Sequence, residues 1–417
     1  MVGGIILVLG LFSSYIKRRT WISEPMLALA AGIALGPAWL DVLDPRAWGE
    51  TTVLLEEVAR FTLAIGLMGV ALRLPPGYVV AHRRTQGVLL GLLMPLMWLV
   101  CALLIYVLLD TPWLVALLVA AAITPTDPIV ATSIVTGRVA EQYLPARMRH
   151  ALSAESGFND GLGQLFVMLA VLLVLHGDGA WGTWFGRTLL LEVVLGALLG
   201  GLFGWAAARL LHWAERLELI ERTSFLAYTL ALALLTLGVA RLLQMDGIIA
   251  VFAAGAVFSA LASGQERAAE ESVQESVSQF FTLPIFAFMG LMLPWDAWAA
   301  LGWPLVAATL AVLLLRRLPT ILLLRPLLGG RWHVREVVFM GWFGPIGISA
   351  LMYAMVVLHH TGLEQVWHIV SFVVVGSIVA HGMTATPFSK LYGRRAHHTK
   401  PPHHRRSPGA GKPPEDG

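Results

Sequence analysis

Apolar runs recur along almost the whole chain, and each is close to the roughly 20 residues needed to cross a bilayer. Thirteen can be marked, near 1–16, 23–38, 52–72, 86–109, 113–136, 151–175, 186–208, 223–240, 246–263, 276–293, 301–324, 336–358 and 367–389. In lipid, a span of this kind satisfies its peptide groups by being helical. The chain therefore reads as an all-α polytopic membrane protein of about 13 transmembrane helices. Composition agrees. Only 13% of the 417 residues are charged, about half the usual 25% of soluble domains, and the mean hydropathy is +0.73. A soluble enzyme, a disordered chain, a collagen and a coiled coil are excluded.

The basic residues test the count. With the N-terminus outside, the cytoplasmic stretches hold Lys17, Arg18, Arg19, Arg73, Arg83, Arg84, Arg138, Arg147, Arg149, Arg209, Arg216, Arg222, Arg267, Arg325, Arg331, Arg335 and a basic tail. The outer stretches hold Arg46, Arg187 and Arg241. This asymmetry is the positive-inside pattern, and it fits an odd number of spans with a cytoplasmic C-terminus. The net charge of +3 is thus spent on topology and does not point to nucleic acid. Membrane lipid is the implied surrounding, and no soluble partner is implied. Met1–Ile16 lacks a leading basic region, so it reads as a retained first helix. Cys101, the single cysteine, lies inside an apolar run and reads as a core thiol. Residues 1–391 read as one transmembrane domain. Residues 392–417, rich in Arg, His, Gly and Pro, read as a disordered cytoplasmic tail. The acidic stretch Gln265–Glu275 reads as a solvated loop or surface helix.

Two spans are interrupted. The fifth carries Thr124-Pro125-Thr126-Asp127-Pro128, and the twelfth carries Gly341-Trp342-Phe343-Gly344-Pro345-Ile346-Gly347. Paired Gly/Pro interruptions in the two halves of a membrane protein mark a site built from discontinuous helices. Their odd offset of seven spans makes them antiparallel, as an inverted repeat requires.

Three constellations place charge where a bilayer would exclude it. Asp127 sits midway along its span between two prolines that unwind the backbone. It is either part of an ion pathway or a cap for the second half-helix. Glu155-Ser156-Gly157-Phe158-Asn159-Asp160 follows in the sixth span. Ser156 and Asp160 share one helix face, and Glu155 and Asn159 share the adjacent one. Hard oxygen donors suit a small hard cation, whereas His and Cys would suit a transition metal. A buried carboxylate that takes a proton or a Na+ ion, but not both at once, is sufficient for exchange. A structural polar cluster is the competing reading. Arg316 and Arg317 lie in the eleventh span. Adjacent residues point in different directions, so one is expected to pair with a buried acid, Glu155 being the choice, and the other to snorkel toward the cytoplasm. Among lesser candidates, Glu56, Glu57 and Arg60 read as a local ion pair, Asp246 as a helix cap, and His381 as a packed residue.

These residues resemble the monovalent cation/proton antiporter superfamily, on its sodium/proton exchanger branch. The likeness is carried by Thr126-Asp127-Pro128 and by Asn159-Asp160. It is nearest to the fungal plasma-membrane Na+(K+)/H+ antiporter type through 126–135, Leu152–Gly157, Asn159-Asp160-Gly161, Asp246-Gly247 and Gly344-Pro345-Ile346-Gly347. The resemblance implies an inverted repeat with crossed broken helices 5 and 12, a mobile core domain and a dimerisation domain, hence a homodimer. It implies Asp160 as the main carboxylate for cation and proton, with oxygens from Asp127, Thr126 and Ser156, so that Na+ would meet Asp160 and Asp127. It further implies Asn159 as the residue holding the crossed helices, and Glu155 paired with Arg316 or Arg317. An Asn-Asp pair implies electroneutral exchange. The chain departs from many relatives late in the third span, where Gly69–Arg73 carries no acid, and in the twelfth, where Pro345-Ile346-Gly347 stands in place of Arg-Gly.

The expected activity is secondary antiport of Na+, Li+ or K+ against H+ at the plasma membrane, without a cofactor. A gated potassium-efflux or cation channel would share the polar core but usually carries a nucleotide-binding domain. An intramembrane enzyme would need a Ser–His or His-Glu-x-x-His arrangement, and the sequence has neither.

Overall fold

A computed structural model describes residues 22–217, 225–262 and 280–397. Among the described residues every regular element is helical. The first apolar run with Lys17, Arg18 and Arg19, the positions Arg222 and Arg267, the Gln265–Glu275 stretch and the tail beyond 397 lie outside them. The helices are α1 (Glu24–Leu35), α2 (Thr51–Arg73), α3 (Arg83–Leu109), α4 (Trp113–Ile123), α5 (Thr132–Val135), α6 (Gly137–Tyr143), α7 (Ala146–His176) and α8 (Leu195–Arg216). They continue with α9 (Phe225–Leu242), α10 (Gly247–Leu261), α11 (Phe280–Leu291), α12 (Trp295–Leu315), α13 (Leu318–Leu324), α14 (Val334–Trp342), α15 (Ile348–Thr361) and α16 (Glu364–His397). Among the described residues, four largely helical stretches are long and apolar enough to cross a membrane, namely Arg83–Leu109, Ala146–Arg216, Trp295–Leu327 and Glu364–Arg394. The last helix runs past residue 391 to His397, beyond the domain boundary expected from composition.

Local chemistry explains where the helices stop. α4 ends at Ile123, and although Thr124 keeps helical dihedrals (φ −70°, ψ −43°), the helix cannot continue because Pro125 and Pro128 lack N–H donors and their rings clash with the preceding turn. After it comes only the short α5, and Gly137 (φ +80°) then turns the chain into α6. α14 ends at Trp342 ahead of Gly344 and Pro345, and α15 restarts at Ile348. α12 is kinked at Gly302 (φ 58°), two residues before Pro304, and it breaks again around Arg316-Arg317, just before Pro319.

Three apolar cores follow from this layout, one of them joining α3, α6, α7, α13 and α14 through Leu93, Ala140, Met148, Ile321 and Met340. The largest joins α2, α3, α4, α7, α12, α15 and α16, with Phe286 and Met289 of α11. A smaller one joins α2 to α8, α9 and α10 through Met68, Ala208, Leu232, Val251 and Phe258. α2 therefore has one side in each of these last two. Its stretch Thr62–Leu72 is buried throughout, which explains why that span shows no amphipathic stripe.

Candidate functional site

The two interruptions meet. The Asp127 N–H donates to the Pro345 carbonyl at 2.8 Å. The Asp127 side chain then serves the turn leading into α5 and the start of α15. Oδ1 accepts from the N–H groups of Ile129 (2.7 Å) and Val130 (3.1 Å), and Oδ2 accepts from Ile348, the first residue of α15. A carboxylate is favourable there because helix N-termini carry partial positive charge and unpaired donors. The opposite ends are served by Arg316. Its guanidinium donates to the carbonyls of Ile123, Thr124 (3.5 Å) and Gly344, where α4 and the chain after α14 run out of helical partners. One anion and one cation thus neutralise the exposed ends of both broken spans. Gly347 is required for this approach, since a Cβ there would overlap Asp127 Oδ2.

The polar stretch of α7 packs against this junction. Asn159 Oδ1 accepts from the Thr126 N–H at 3.1 Å, and its Nδ2 donates to Thr126 Oγ1 at 2.8 Å. Ser156 Oγ lies 3.3 Å from Thr126 Oγ1. Glu155 faces Arg317, whose Nη2 donates to Oε2 at 2.7 Å; Nη1 reaches Oε1, and Nε donates to the Met340 carbonyl at 2.8 Å. Both residues of that pair are 2% exposed. Arg316 is as buried as Arg317, which overturns the expectation that one of the two snorkels to the surface. At the break between α12 and α13 the adjacent arginines turn inward to different partners.

Asp160 differs from all of these. It is fully buried, yet neither carboxylate oxygen makes a hydrogen bond among the described residues. Ser349 of α15 stands beside it, and its hydroxyl also lacks a partner. One turn further along α15, the Tyr353 hydroxyl donates to the backbone carbonyl of Asp160. Burying an unpaired charge is costly, so this carboxylate is suited to receive a positive charge from outside the protein. A proton or a small monovalent cation satisfies it equally in charge. The nearby oxygens of Ser156, Thr126 and Ser349 are the donors such a cation would find. The described residues hold no cluster of three or more His, Cys, Asp or Glu that fits a metal ion.

The lesser candidates take structural places. Asp246 caps α10 through Oδ1, which accepts from Ile248 (2.8 Å) and Ile249 (3.2 Å). His381 is held between the carbonyls of Ser377 and Trp342, 2.9 Å from each. Cys101 is buried. The Glu56, Glu57 and Arg60 group is larger than its local spacing implies. Arg241 of α9 donates to Glu57 at 2.8 Å, and His359 of α15 lies 2.6 Å from Glu56. Ser349, Tyr353 and His359 were missed from sequence because a lone hydroxyl, phenol or imidazole on an apolar helix carries no spacing signal of its own.

With this geometry in place, comparison with known proteins is informative. The chain is 32% identical to Na+/H+ antiporter 2 of Zygosaccharomyces rouxii, over 90% of this chain and 50% of that one. It is 31% identical to the Na+/H+ antiporter of Saccharomyces cerevisiae, over 91% of this chain and 42% of that one. The chain thus spans about half the length of these curated relatives. In fold it is similar to the sodium proton antiporter MjNhaP1 of Methanocaldococcus jannaschii determined at pH 8, with a TM-score of 0.73 and 18% identity, covering 94% of this chain and 98% of that one. Residues 4–391 match the profile of the transmembrane sodium/hydrogen exchangers, and the chain belongs to that family of transporters.

Proposed function

We propose that the protein is a secondary antiporter exchanging Na+ for H+, with Li+ and K+ as further candidate cations, and that Asp160 is the carboxylate both cargoes share. The observation that carries this reading is a fully buried Asp160 with no hydrogen-bond partner, next to two opposed helix breaks. Thr126 and Ser156 supply further oxygens, and Asp127 borders the site while binding the turn before α5 and the first N–H of α15. Asn159 ties α7 to the first break, and the Glu155–Arg317 pair fixes the other side of α7 against α13 and α14. The 13 spans form an inverted repeat in which the broken fifth and twelfth cross. The protein works as a homodimer in the plasma membrane, N-terminus outside and C-terminus in the cytoplasm. Alternating exposure of Asp160 to the two sides then couples the fluxes, one cation for one proton.

The test is proton flux in proteoliposomes loaded with a pH dye. Na+ addition should drive proton movement in the wild type, insensitive to a valinomycin potassium clamp. Asp160→Asn preserves size and removes the charge, and it should fall to the rate of empty liposomes. Exchange at the wild-type rate in Asp160→Asn would sink the proposal.

A further inference from the structure

We infer that Ser349 is a cation ligand and selectivity-setting residue, its Oγ completing the site around Asp160; this deepens the antiporter reading and rests on it. The argument starts from where a helical hydroxyl normally goes. Thr62, Thr124, Thr320 and Thr384 each donate to the carbonyl four residues earlier, at 2.7 to 3.0 Å. For Ser349 that carbonyl belongs to Pro345, which lies before the start of α15 and already accepts from the Asp127 N–H. The break that creates the junction thus places that customary acceptor outside the helix, and the Ser349 hydroxyl makes no bond to it. That hydroxyl is fully buried and makes no hydrogen bond among the described residues.

Other buried hydroxyls also lack partners; what distinguishes Ser349 is its company. Ser349 and Tyr353 are four residues apart and share one face of α15. Tyr353 on that face donates to the Asp160 backbone, so the face meets α7 at the carboxylate. Ile348, the residue before Ser349, is bonded to Asp127, which fixes the backbone position from which the hydroxyl projects. A hydroxyl is also chemically suited to both cargoes, because its hydrogen rotates freely and it carries lone pairs. With a proton on Asp160, Oγ accepts from the carboxylic O–H. With a cation bound, Oγ turns a lone pair to the ion. A serine can therefore serve both halves of an exchange cycle without changing its backbone.

The test compares Ser349→Ala and Ser349→Thr with wild type and Asp160→Asn in proteoliposomes, using LiCl, NaCl and KCl. Measurements at alkaline pH keep protons from competing for the carboxylate. Ser349→Ala should raise the half-saturating Na+ concentration about tenfold, the effect of losing about 1.4 kcal/mol of binding, while the maximal rate stays within about twofold. The ratios among Li+, Na+ and K+ should change. Ser349→Thr, which keeps the hydroxyl, should restore the Na+ value. An unchanged half-saturation in Ser349→Ala overturns the inference. So does an equal shift for all three cations that vanishes at alkaline pH, since that would mean the hydroxyl only tunes proton affinity. A Thr variant that fails to recover overturns it as well. Activity surviving in Asp160→Asn would instead overturn the antiporter reading itself.

Discussion

Glu155 and Arg317 form a fully desolvated ion pair, and such a pair is fragile in a specific way. Removing one partner leaves an uncompensated buried charge and costs about 3–5 kcal/mol, whereas replacing both with apolar residues of similar volume is often close to neutral. Arg317→Met should therefore lower the thermal midpoint in detergent strongly, and Glu155→Leu combined with Arg317→Met should recover most of the loss. A double variant as unstable as the worse single one would show that the Arg317 bond to Met340 matters more than the charge. Residues of this kind were legible in the sequence because charge is rare in a bilayer and has to be accounted for. Asp127, Glu155 and Asp160 stand out on that ground alone. The choice between Arg316 and Arg317 was not legible, because it depends on a break at Leu315–Leu318 that redirects neighbouring side chains. Ser349 was equally hidden, since its interest lies in its place beside Asp160, a residue of a different helix.

Among the elements, α8 and α10 come so close that side chains are excluded between them. A Cβ at Gly200 would overlap the Ala250 carbonyl, and one at Gly204 would overlap the Ala254 carbonyl. Small residues spaced four apart allow this approach in membranes, where packing rather than apolar transfer drives helix association. Gly201 faces elsewhere, and a Cβ there would meet Val257 at an ordinary 3.8 Å. Gly200→Val should reduce the folded yield and thermal midpoint sharply, and Gly201→Ala should leave both near wild type. Similar losses in the two variants would contradict close packing of α8 on α10. Helix positions were largely readable, since prolines and glycines sit at both functional breaks. The π-helical turns over Trp184–Val194 were not, because no proline marks them and their residues suit an ordinary helix equally well.

For the whole molecule, α2 lies between two cores, and the contact of Glu56 with His359 ties it to the end of α15. If exchange requires the body holding α15 to shift against the body holding α10, a covalent bridge here should stop it. In a Cys101→Ala background, Glu56→Cys with His359→Cys should lose Na+-driven proton flux on treatment with a short reducible thiol crosslinker and regain it on reduction. Undiminished flux in the crosslinked protein would rule out movement at that contact. Acidification should act differently. Under the proposed exchange, protons compete with Na+ for Asp160, so each pH unit below its titration point should raise the half-saturating Na+ concentration about tenfold and leave the maximal rate unchanged. A rate that falls while half-saturation stays fixed would place the pH effect elsewhere. The partners of Asp127 and Arg316 have one more consequence. Around the junction three carboxylates face two guanidiniums, so the unloaded site keeps one surplus negative charge, and either cargo cancels it. Carrying that surplus through a low-dielectric interior is costly. Under the proposed exchange, the unloaded carrier would be held back from reorienting, so slippage, in which one gradient drains without driving the other, would be opposed by electrostatics.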